Sequence, residues 1–108
     1  MQSPDAAGLD ALARSGSDLS KLHHVEFTLH FPTLQDAHDA ELKLIGFAFD
    51  TDTARNKTGK GWVIRASKTM YPNERDLQGL RDKLEIIAAE SHGTYDGWHA
   101  RVAEPKHP

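Results

Sequence analysis

The chain has 108 residues, 13 Lys and Arg against 16 Asp and Glu, a formal net charge of −3 and no cysteine. That length supports one domain with one modest core. The missing cysteines exclude a disulfide scaffold, thiol catalysis and thiolate-held zinc, and they fit a reducing compartment. No apolar run approaches the roughly 18 residues of a membrane helix. The first stretch, MQSPDAAGLDALARSG, has no basic n-region and carries Asp5 early. It does not read as a secretory signal, and a cytoplasmic location is expected.

In chain order, the first predicted element is a short helix. Ser3 is a plausible N-cap and Pro4 suits the first helical position. Leu9, Leu12 and Ala13 share one face, and Gly16 can end it. With Gly8 inside, so short a helix frays unless it docks. LHHVEFTLHF, residues 22–31, alternates with a period of two. Val25, Phe27, Leu29 and Phe31 point one way; His24, Glu26, Thr28 and His30 point the other, as in a half-buried strand. Pro32 stops it, and Thr33 with Asp36 three residues on is close to a capping box.

A helix follows, with Leu34, Ala37, Glu41, Leu44 and Ile45 at helical spacing and Gly46 as its C-cap. FAFDTDTA reads as a short strand with Phe47 and Phe49 on one side. RNKTGKG is a loop with two glycines. GWVIRASKTMY is a third strand, Trp62, Ile64 and Ala66 on one face and Val63, Arg65, Ser67 and Thr69 on the other. Asn73 caps a second long helix with a stripe of Leu77, Leu80, Leu84, Ile87 and Ala88. His92 and Gly93 mark its end, YDGWHARV is the last strand, and EPKHP is a tail.

The order is therefore one short helix followed by β-α-β-β-α-β. Each long helix has one apolar face, so the expected architecture is α+β: a ferredoxin-like sandwich, a four-stranded antiparallel sheet with both helices on one face. Right-handed crossovers put the strands in the order 4-1-3-2. Val25, Phe27, Leu29, Leu80, Leu84, Ile87 and Trp98 are expected to share one core.

Chemistry-bearing patterns are sparse. His24 and His30 share a strand face but stand too far apart along it to hold one ion. No HExxH or comparable helical pair occurs, so the histidines read as solvated surface groups. Asp50 and Asp52 share a face without a further ligand. No nucleophile sits in a strained Gly-x-Ser-x-Gly turn, and RNKTGKG lacks both the spacer and the helix of a phosphate loop. Neither an enzyme nor a cofactor is indicated; the catalytic, cofactor and metal sets are empty.

One charge pattern is uneven. Residues 53–73 carry Arg55, Lys57, Lys60, Arg65 and Lys68 and no acid. The hairpin between the second and third strands could attract phosphates through Arg55, Lys57, Lys60 and Arg65. The expected open face shows no Phe, Tyr or Trp on which bases could stack, so RNA binding is the alternative, not the first choice.

The stretch Tyr95-Asp96-Gly97-Trp98 contains Asp-Gly, a hairpin signal, but it lies inside a strand. Glycine there marks a bulge or a close backbone approach. The element also resembles the signature of the ribonuclease E inhibitor protein B (RraB-like) family. Gly16-Ser17-Asp18 before the first strand, His23-His24 at its start and Gly46-Phe47 match in register. The resemblance covers Gly16 to Pro105. It divides the chain into a helical extension (1–15), the family domain (16–105) and a tail (106–108).

The resemblance implies a non-enzymatic regulator that binds a protein partner, ribonuclease E or a related nuclease, and so modulates RNA cleavage. The open sheet face, polar and mixed in sign, is the expected contact surface. Its candidates are Tyr95, Asp96, Gly97, His99, Arg101, His24, Glu26 and Arg65, with Tyr95, His99 and Arg101 along the rim. No membrane partner is indicated.

Overall fold

A computed structural model describes residues 4–100. In chain order the elements are α1 (Pro4–Arg14), β1 (His23–Phe31), α2 (Leu34–Gly46), β2 (Asp50–Arg55), β3 (Trp62–Met70), α3 (Glu74–Glu90) and β4 (Thr94–Ala100). The strands pair antiparallel in the order β2-β3-β1-β4. Read from β4, this is 4-1-3-2, the order that the two crossovers require.

β1 and β3 pair without interruption from His23 opposite Met70 to Phe31 opposite Trp62. The period of two therefore holds along all of β1, and Val25, Phe27, Leu29 and Phe31 are buried. Ala37, Ala40 and Leu44 from α2 and Leu77, Leu84, Ile87 and Ala88 from α3 pack onto that side. The Phe27 and Phe49 rings meet edge to face, centroids 5.8 Å apart at 84°, which sets a ring edge against a π cloud. Leu80 and Trp98, expected in the core, are only partly buried against it. Leu34 and Ile45 follow the α2 repeat but are exposed.

Both long helices start on side-chain caps. The Asp36 N–H donates to Thr33 Oγ1 at 3.1 Å and the Asp76 N–H to Asn73 Oδ1 at 2.8 Å, each satisfying one orphan donor of a first turn. The C-terminus of α2 departs from expectation. Gly46 stays inside the helix, Phe47 is the C-cap, and the left-handed turn falls on Ala48 at φ 66°. β2 therefore begins at Asp50, and Phe47 is an exposed cap under the Lys83 ammonium, 4.3 Å from its ring centroid, while Phe49 is buried. At the end of α3 the left-handed residue is His92, φ 63°.

α1 docks. Leu12 is buried and Leu9 partly so, whereas Ala13 is exposed. Asp5 is buried; it accepts a hydrogen bond from Trp98 Nε1 at 3.2 Å and faces Arg81 of α3 at 3.5 Å. Gly8 lies flat against the Trp98 ring, where an added Cβ would come within 2.9 Å of Cζ2. The glycine that weakens this helix is thus what lets it approach the ring. The proposed N-cap Ser3, the rim residue Arg101 and the tail lie outside the described residues.

Candidate functional site: the open face of the sheet

β4 decides which side chains reach this face. His99 lies opposite Glu26 and Trp98 opposite Phe27; beyond an irregularity, Tyr95 lies opposite Leu29 and Thr94 opposite His30. Thr28 therefore spans Asp96 and Gly97 together, which is a β-bulge, and Gly97 adopts φ 94°. The expectation for Asp-Gly inside a strand is met.

The bulge absorbs one step of the alternation. Tyr95 and Trp98, three residues apart, both turn toward the helix side, and Asp96 and His99, also three apart, both turn toward the open side. Tyr95 is thus corrected: it does not stand beside His99 on the open rim but is half-buried near α1 and α3. Tyr95 and His99, four residues apart, fall on opposite faces because the bulge takes up one residue between them.

The remaining candidates do converge. Glu26 Oε1, on the central strand β1, lies 3.6 Å from Arg65 Nε on β3 and 3.5 Å from His99 Nε2 on β4. His30 Nε2 lies 3.1 Å from Asp96 Oδ2. Asp52 of β2 faces Arg65 and Asp50 faces Ser67. The face therefore sets acids of β2, β1 and β4 beside the Arg65 guanidinium and two imidazoles. Such solvated pairs contribute only ~0–1 kcal/mol each to stability; their consequence is a defined pattern of sign. His24 is exposed opposite Thr69 at one end of β1. Val63 is on this face as expected but is buried among its neighbours.

The basic hairpin divides. Arg55, Lys57 and Arg65 line an open depression of about 430 Å³ with His30, Asp96 and His99. Lys60 belongs to another, of about 400 Å³, at the end of the sheet beside Trp62 and His92. The first has no Phe, Tyr or Trp in its lining. The Arg55 guanidinium lies 5.9 Å from the Trp62 ring centroid.

His23 corrects the reading of the histidines as surface groups. It is buried, with Nδ1 2.8 Å from the Lys21 carbonyl and Nε2 2.6 Å from Ser17 Oγ. An Nδ1–H donated to the carbonyl leaves Nε2 to accept from the serine hydroxyl. The pair has the connectivity of a base and a nucleophile, but the ring is enclosed. It ties the linker Gly16-Ser17-Asp18 to the start of β1, so two of the sequence motifs meet in space. Asp18 in turn accepts from the Ser20 hydroxyl and N–H, which hold its pKa below the usual carboxylate range.

Among the described residues, no group of three or more His, Asp and Glu could hold a metal ion, and no helix is long and apolar enough to cross a membrane. Sequence reasoning did not single out His30 as the partner of Asp96, because that pairing depends on the bulge. It also missed the buried Asp5–Arg81 contact: an acid in a first helical turn already has an ordinary explanation in the helix dipole.

The fold and face define a small α+β protein with a solvated, charge-patterned sheet. A family model described as "Regulator of ribonuclease activity B" matches residues 4–100, and the chain belongs to that family, one of regulators of ribonuclease activity. The match takes in α1 as well as the sheet and the long helices. No curated protein matches the chain.

Proposed function

We propose that the chain is a non-enzymatic regulator that binds ribonuclease E or a related nuclease through its open sheet face. The observation that carries this reading is Glu26, held between Arg65 and His99 at the centre of that face. Around it, the carboxylates of Asp50, Asp52 and Asp96 are interleaved with the Arg65 guanidinium and the imidazoles of His30 and His99. A rigid sheet with a fixed charge pattern selects partners by complementarity and speeds encounter more than it adds raw affinity. Gly97 supports the reading through the bulge that brings Asp96 and His99 to one side. His24 extends the same face. Tyr95 plays no direct part in it.

Calorimetry and co-elution with the host's ribonuclease E test this reading. Binding in the micromolar range is expected, with Arg65→Ala and His99→Ala each weakening it by about 1–2 kcal/mol while the fold stays intact. No heat and no co-elution at tens of micromolar would remove ribonuclease E as the partner.

A second reading, RNA binding, draws support from the convergence of Arg55, Lys57 and Arg65 on one depression. Without stacking rings there, only phosphate attraction remains, and it weakens steeply with salt. No micromolar RNA binding is expected at physiological ionic strength. A filter-binding signal abolished by Lys57→Glu would promote RNA above the protein partner.

A further inference from the structure

Among the described residues, two buried side-chain polar atoms lack a hydrogen-bond partner: Asp5 Oδ2 and Tyr95 Oη. Both residues line one cavity of about 330 Å³, together with Gly8 of α1, Arg81 and Glu85 of α3, and Trp98 of β4. Buried polar atoms in folded proteins are nearly always paired, so two orphans in one cavity need a cause.

The Asp5 side chain is only 3% exposed. Its Oδ1 is occupied by the Trp98 N–H, and its Oδ2 faces Arg81 Nε as an ion contact without hydrogen-bond alignment. Burial first, and then the charge of Asp5, raise the pKa of the Tyr95 phenol against the opposing pull of Arg81. The phenol therefore keeps its proton at neutral pH and is free to donate it. The two unpartnered atoms are thus one acceptor and one donor.

A ligand must supply the reverse, a donor for Asp5 and an acceptor for Tyr95. A carboxylate is repelled by Asp5 and Glu85 and has no proton to give, and a phosphate, with more negative charge, is repelled more strongly. An ammonium has no lone pair for Tyr95. A neutral carboxamide carries N–H and C=O on adjacent atoms, and its plane suits a cavity walled by two aromatic rings.

We propose that the cavity between α1, α3 and β4 is a binding site for a neutral carboxamide group. The inference does not depend on the ribonuclease reading, and its test needs no ribonuclease.

The chain has two tryptophans, and their indole N–H resonances report two different places. Trp98 borders the cavity, whereas Trp62 lies by the β2–β3 hairpin and serves as an internal control. Titrating the full chain with acetamide should shift the Trp98 indole resonance saturably and leave that of Trp62 unmoved. Acetate and methylammonium, close in size, should bind at least about tenfold more weakly. Tyr95→Phe keeps the ring and removes the donor; acetamide should then bind roughly fivefold more weakly. N-acetylglutamine methylamide binding tighter than acetamide would indicate a side chain of a protein as the source, and the reverse a small free amide. The proposal is overturned if acetamide gives no saturable Trp98 shift, if all three small probes act alike, or if Tyr95→Phe leaves acetamide binding unchanged. The comparison of probes on the unaltered chain stands even if the variant fails to fold.

Discussion

β1 and β4 are neighbours in one sheet and obey different rules. β1 alternates strictly, buried and solvated in turn, over its nine residues, and its pairing with β3 is continuous. β4 pairs with the other edge of β1, but one extra residue at Asp96-Gly97 interrupts the register. A period of two therefore assigns faces along β1 and mis-assigns them on one side of the bulge in β4. The difference also sorts the two strands by role. The inward side chains of β1 fill the core, whereas β4 sends Tyr95 and Trp98 to the α1 cavity and Asp96 and His99 to the open face.

The largest expected effect lies on the regular strand. Phe27 is fully buried, and Phe27→Ala should cost roughly 3–5 kcal/mol by the loss of transfer energy and the cavity left behind. Urea unfolding measures it; a cost under about 1 kcal/mol would show that β1 does not organise the core.

Trp98→Ala should cost less, about 2–3 kcal/mol, because Trp98 is only partly buried. It should also free α1, since the ring under Gly8 and the donor to Asp5 disappear together. Limited proteolysis within α1 should then outpace cleavage elsewhere. Unchanged protection of α1 would mean that Leu9 and Leu12 hold the helix without Trp98.

At the bulge itself, Gly97→Ala meets no neighbouring atom within 4 Å. Its cost is backbone strain alone, about 1–2 kcal/mol at a positive φ, and Gly97→Asn should recover part of it. A Gly97→Ala variant as stable as the parent chain in thermal unfolding would argue that the strand repairs its register without the bulge.

On the open face, Glu26→Gln should change stability by no more than ~0.5 kcal/mol. A larger loss would make the Arg65–Glu26–His99 contact part of the scaffold and not only of the surface.

The smallest effect is confined to alkaline pH. The Tyr95 phenol has its pKa raised above the ordinary 10.0 by burial and by the charge of Asp5. Above pH ~10 the folded chain holds more protons than the unfolded one, so stability falls as pH rises; below that pH this group contributes no slope. Tyr95→Phe should flatten the alkaline limb of a urea-midpoint profile. An identical limb in the variant would locate the effect elsewhere.

Much of the candidate site is legible in the sequence. His24, Glu26 and Arg65 fall on the open face because β1 and β3 keep a period of two, and that face is where they lie. Asp96-Gly97 is legible as a bulge because glycine inside a strand has few other uses. Tyr95 is not legible, because its face depends on how many residues the bulge absorbs. The hairpin cations are legible as a run, but their division between two depressions is not. Lys60 sits between Gly59 and Gly61, both at positive φ, and lines a different depression from Arg55 and Lys57.

Local chemistry determined the elements, their order and most of their caps. Alternation, helical stripes, Thr33, Asn73 and Pro32 act within a few residues and need no tertiary partner. The strand order also followed, since the handedness of two crossovers leaves little choice. Tertiary structure alone decided where α2 gives way to β2, that Gly8 serves the Trp98 ring, that His23 is buried against Ser17, and that Asp5, Arg81 and Tyr95 close on one cavity. Each of these joins residues far apart in the chain, or depends on which side of a strand faces a neighbour. Register against β1 and the docking of α1 settle such contacts, and neither leaves a periodic trace in the sequence.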